Sequence, residues 1–167
     1  AQFLKAAKAS DKKWWSELYA PKELNPGKLE VEGNYRRFLK ANLIIRISSS
    51  ATKLEVNRVL AAIDQSGFDY PISLDPGSKI KLQGKNVTIE DSNSFEARVV
   101  DNPTLGLRIW QLGAIEPWVR IALPKPDIHV ISGEVLLNGR LTGLNLVREQ
   151  AVSITQHRFG ALQPRIL

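Results

Sequence analysis

LIIRISSSATKLEVNRVLAAIDQSG, residues 43–67, changes period partway along its length. Leu43 to Ile47 is apolar and β-branched apart from Arg46, which reads as a strand. The Ser48-Ser49-Ser50 run then supplies turn hydroxyls and capping oxygens. Thr52-Lys53-Leu54-Glu55 has the spacing of a capping box, in which a hydroxyl and a carboxylate each satisfy a free backbone N–H at a helix start. Val56, Val59, Leu60 and Ile63 follow at helical spacing, and Gly67 is placed to end the helix in the left-handed conformation. The stretch therefore predicts a strand, a turn and a helix over residues 53–66.

C-terminal to that helix the pattern reads as strand and turn. Ile80 and Leu82 face Val87 and Ile89 across Gly84-Lys85, the spacing of a hairpin. Phe95 to Val100, Leu107 to Leu112, Val119 to Leu123 and Ile128 to Ile131 read as further strands, with Pro124 and Pro126 marking an edge or a crossing between sheets. Asn138-Gly139 between Leu137 and Arg140 has the signature of a type I′ hairpin turn, and Leu144, Leu146, Val152 and Ile154 continue the β pattern. Two helices, the capped one and an amphipathic one at the N-terminus, stand beside the strands, with no alternating strand-helix-strand rhythm. The expected fold is therefore α+β, predominantly antiparallel, a sandwich or barrel of about nine strands.

N-terminal to residue 43, Phe3, Leu4, Ala7, Trp14, Trp15, Leu18 and Tyr19 fall on one arc of a helix over residues 3–19, with Asp11 as the one polar interruption. Pro21 ends it, and Pro26-Gly27 marks a linker. Leu29 to Val31 is a short strand candidate. The chain divides on this reading into an arm, residues 1–28, and a β-rich domain, residues 29–167.

Composition limits the functions to consider. With 167 residues, 43% hydrophobic and 24% charged, the chain can bury an ordinary core. It has no Cys, which excludes disulfides, thiol nucleophiles and Cys-ligated metals. No apolar run is long enough for a membrane span, so the expectation is a soluble protein, cytoplasmic or virion-associated rather than secreted. Of the formal net charge of +6, the first 48 residues carry most: ten Lys and Arg against five acids. Neither a nucleophile elbow nor a glycine-rich phosphate loop occurs, and no cofactor is expected.

Three functional readings follow. The first is a non-enzymatic assembly subunit that docks on other protein subunits through Phe3, Leu4, Trp14, Trp15, Leu18 and Tyr19. The second is a nucleic-acid module that uses Lys5, Lys8, Lys12, Lys13, Arg36, Arg37 and Lys40 on phosphates, with Trp14, Trp15 or Tyr35 stacking on bases. The third is a hydrolase or metal enzyme around Asp127, His129 and His157, two imidazoles and a carboxylate. Contact of the N-terminal helix with a membrane surface ranks below all three.

Overall fold

The computed structural model describes residues 1–20, 32–82, 84, 86–155, 157–158 and 161–162. The Pro26-Gly27 linker, the Leu29 to Val31 strand candidate and the last five residues lie outside these.

The capped helix forms as the sequence predicts. Helix α2, Lys53–Ser66, begins at Thr52, whose hydroxyl accepts from the Glu55 backbone while the Glu55 carboxylate accepts from the Thr52 N–H at 2.7 Å. Gly67 closes it at φ +68°. Before it stands β2, Leu43–Ile47, and after it β3, Ile72–Leu74, and these two strands are parallel. This single strand-helix-strand unit overturns the antiparallel expectation. β4, Val87–Ile89, β5, Leu107–Leu112, and β6, Ile128–Ile131, complete a five-stranded all-parallel sheet in the order β4-β3-β2-β5-β6. The fold is α/β, with helices on both faces of that sheet, and not an antiparallel sandwich or barrel.

Several segments change identity for local reasons. Val87 pairs with Ile72 in a parallel ladder, while Ile80 and Leu82 pack against the main core as loop residues, so no hairpin forms at Gly84. Residues 92–100 are helical: Asp91 caps α3, Ser92–Phe95, and a π-type turn continues to Val100. Phe95 and Val99, four apart, share the buried face. Pro117, with φ −55° already helical, starts α4, Trp118–Ala122. Asn138 has extended φ and ψ of −70° and 109°, and its side chain accepts from the N–H of Arg140 and Leu141. It caps α5, Gly139–Leu146, in place of the expected type I′ turn.

On one face of the sheet, α2 and α5 cover Leu43, Ile45, Ile47 and Leu112. α1, Gln2–Trp14, extended by a π-type turn over Trp15–Tyr19, packs on both of those helices. Asp11, the one polar residue in the α1 stripe, is 5% exposed and forms a two-pronged pair with buried Arg58 at 2.7 and 2.8 Å. Burial pushes its carboxyl above the ordinary value, and Arg58 pulls it only partly back. On the other face, Phe95, Val99, Trp118, Val119 and Ala122 cover Ile109 and Ile128. The antiparallel strands stand apart from the main sheet: β1, Glu32–Lys40, pairs with β7, Val147–Thr155, and β8, His157–Arg158, with β9, Ala161–Leu162.

Candidate functional site

The strand order reverses direction between β2 and β5, the position in open parallel sheets where the crevice at the carboxyl ends of the strands holds a ligand. Here the protein fills that crevice with its own groups. Ser48 Oγ donates to the Leu112 carbonyl at 3.0 Å, and Ser50 Oγ accepts from the Ala114 N–H at 2.8 Å, so the loops after β2 and β5 are joined. Gly113, at φ +81°, permits this closeness, since a Cβ there would stand 2.4 Å from Ser48 Oγ and 2.6 Å from the Ala51 nitrogen. The N-terminus of α2, where a phosphate would sit, already carries the Glu55 carboxylate.

Beneath the crevice lies a buried ionic cluster. Arg46 is fully buried, and all five of its N–H groups are engaged. Nε and Nη2 hold Glu116 at 2.6 Å each, Nη2 also reaches Asp75 at 3.3 Å, and Nη1 donates to Ser73 Oγ at 3.0 Å and the Glu90 carbonyl at 2.8 Å. Glu116 further accepts from the Trp118 indole at 2.9 Å, and Glu90 from Arg98 and Ser73. Burial alone would raise the Glu90 carboxyl, but the hydrogen bonds from Arg98 and Ser73 and the charges of Arg98 and Arg46 outweigh it and hold it below its ordinary value. With no free donor, Arg46 locks the sheet to α4 and the loops around it rather than greeting a ligand.

The β1–β7 ribbon is the other distinctive surface. Nine residue pairs run in antiparallel register from Glu32↔Thr155 to Lys40↔Val147, and among the described residues no further strand joins either edge. Residues opposite one another share a face, so Gly33, Tyr35 and Arg37 stand with Ile154, Val152 and Gln150. On this face Arg37 Nε donates to Gln150 at 2.6 Å, while Val152 and Ile154 are 44% and 50% exposed. On the opposite face Phe38 meets Tyr19 edge-on at 5.0 Å. The root of the ribbon is tied to the body by Ala41 N–H donating to the Leu146 carbonyl and by Arg108 donating to the Val147 carbonyl at 2.6 Å.

The residues singled out from sequence divide among several places. Tyr19 is buried, with its hydroxyl donating to the Arg140 carbonyl, and Trp14, Trp15 and Leu18 are partly buried against the protein's own core. Phe3 and Leu4 are half-buried. Lys5, Lys8, Lys12 and Lys13 are exposed on α1, with Lys13 above the Trp14 ring at 5.8 Å. Arg36 lies over Phe38 at 5.6 Å and Lys40 over Tyr70 at 5.0 Å, so these aromatic faces already carry cations. Asp127 and His129 line one cavity. His157 opens β8, but its side chain lies outside the described part, and among the described residues no cluster of three His, Asp or Glu side chains could hold a metal ion. No helix among them is long and apolar enough to cross a membrane.

Sequence reasoning missed Arg46, Glu116, Asp75 and Ser73 as a unit. The one available signal was a charged residue in the middle of an otherwise apolar strand, which announces a buried partner without saying which.

No family model matches the sequence, and no curated protein does. Among solved structures, the chain is similar to proline utilization A (PutA) from Corynebacterium freiburgense, with 25% identity and a TM-score of 0.64. The similarity covers 96% of this chain but only 14% of that protein, so the chain corresponds to a small fraction of the length of its neighbour.

Proposed function

We propose that this chain is a non-catalytic docking unit of a proline-utilization-A-type protein, bound to the rest of that assembly through the outer face of the β1–β7 ribbon. The observation that carries the reading is the ribbon: an antiparallel pair of nine residues per strand, set apart from the main sheet among the described residues, with Val152 and Ile154 half-exposed on one face. Two-stranded ribbons are marginal in water by themselves, so a ribbon with exposed apolar residues on its outer face is at its most stable against a partner. The occupied crevice agrees with a non-catalytic role, since the Glu55 carboxylate already takes up the Thr52 N–H at the start of α2 and every donor of Arg46 is engaged. The docking element is therefore the ribbon rather than the N-terminal helix, whose apolar stripe is engaged with the body. The near-complete coverage of this chain within a much longer neighbour supports the same reading.

The test is a binding measurement with the remainder of the proline utilization A protein from the source of this chain. The wild-type chain should form a stable complex, and Val152→Asp with Ile154→Asp should weaken it by about tenfold or more, roughly 1.4 kcal/mol, with an unchanged melting temperature. Equal binding by the double variant removes the ribbon from the interface. Salt-sensitive binding to nucleic acid in place of the protein partner would favour the basic residues of α1 instead.

A further inference from the structure

We propose that the cavity at the amino ends of β5 and β6 binds a small zwitterion of the α-amino-acid type. The cavity has a volume of about 590 Å³, and Arg108, Asp127, His129, Ile131, Leu144 and Asn145 form its wall. It lies at the edge of the sheet opposite the filled crevice.

Its polar groups are positioned by the fold. Arg108 and His129 are Cα partners across the parallel β5–β6 pair, so their side chains leave the sheet on the same face. Arg108 Nη1 donates to the carbonyls of Leu144, Asn145 and Val147 at 2.8, 3.3 and 2.6 Å, which fixes the guanidinium at the C-terminal end of α5. Among the described residues nothing accepts from Nε or Nη2, so one edge of the fork is left for a carboxylate. Asp127 precedes His129 by two residues, roughly 6–7 Å along the strand direction, and lines the same cavity. Among the described residues no salt bridge joins Arg108 to Asp127.

Opposite charges held apart on one wall select the ligand. A simple anion drawn by Arg108 is opposed by Asp127, and a simple cation drawn by Asp127 is opposed by Arg108. A molecule with both a carboxylate and an ammonium group satisfies both at once. The His129 imidazole and Asn145 amide can each add a neutral hydrogen bond, and Ile131 with Leu144 suits a short apolar side chain. Because the cavity is open and only partly encloses a ligand of this size, affinity should be weak, with a Kd on the order of 1 mM.

The experiment is a titration followed by NMR or calorimetry with alanine, leucine and proline as probes, together with their N-acetyl and methyl-ester derivatives. The free amino acids should bind, and blocking either charged end should weaken binding by about tenfold. Asp127→Asn should weaken the free amino acids while improving the N-acetyl forms, which keep the carboxylate alone. Failure of the wild-type chain to bind any probe below about 10 mM, or equal binding of free and blocked forms, overturns the proposal. Val152 and Ile154 are not part of the cavity, so the ribbon variants should bind these probes normally, and this site stands or falls separately from docking.

Discussion

Arg46 shows how one buried side chain can organise a sheet and the loops around it. A buried guanidinium is tolerated only when its donors are satisfied and its charge is met, and here Glu116, Asp75, Ser73 and the Glu90 carbonyl do both. Its partners come from 27, 29, 44 and 70 residues along the chain, so sequence could show that Arg46 needed a partner but could not identify one. Glu90 gives this cluster a pH dependence. Its carboxyl is held below the ordinary value in the folded state, so its contribution to stability is complete above the unfolded value of about 4.3 and is lost as pH falls through the folded value. Glu90→Gln should cost about 1.5 kcal/mol near neutral pH, and chemical denaturation at a series of pH values should show a shallower acid-side loss than in wild type. An identical acid limb in both proteins would mean that Glu90 is not held in this way.

At the scale of elements, α5 depends on its two glycines. Gly139 and Gly143, four apart, face α1: a Cβ on the first would stand 2.6 Å from backbone atoms of Ser10 and Asp11, and one on the second 2.4 Å from the Tyr19 ring. The Gly139 N–H also donates to Ser10 Oγ at 2.9 Å. These spacings fit a hairpin as readily as a helix face, and Asn138 serves equally well as a turn residue or a helix cap. The decision came from α1, which requires small residues where it crosses. Gly139→Ala should therefore destabilise the protein by about 2 kcal/mol through overpacking, in spite of the better helix propensity of Ala, and a thermal melt would measure it. A gain in stability would mean that α1 moves away at little cost.

For the whole molecule, the position of α1 sets what its loss should do. Deleting residues 1–20 takes the Asp11 carboxylate from Arg58, which is 1% exposed, and uncovers the core face beneath Trp14, Trp15 and Tyr19. A buried cation without its partner is costly, so urea unfolding should show a loss of at least about 3–5 kcal/mol. An unchanged midpoint would show that the helix is a detachable arm after all. The ribbon, by contrast, is fixed to the body at its root, so variation at its tip should affect association more than folding.

The sequence by itself determined whatever is settled within one or two helical turns: the Thr52–Glu55 capping box and Gly67 stop of α2, the extended state of Leu43–Ile47, Leu107–Leu112 and Ile128–Ile131, and the apolar stripe of α1. In each case the signal was a period or a local hydrogen bond. The direction of strand pairing was decided only by tertiary structure, because a short apolar strand buried on both faces looks the same in a parallel or an antiparallel ladder. Helices α3 and α4, four and five residues long, are too short to express a helical period, and Val99 and Val100 after α3 and Val119 and Ile121 within α4 imitate strands until the sheet buries one side of them. The ionic cluster, the filled crevice and the Arg108–Asp127 cavity arise where strand ends meet, and that meeting is a property of the assembled sheet.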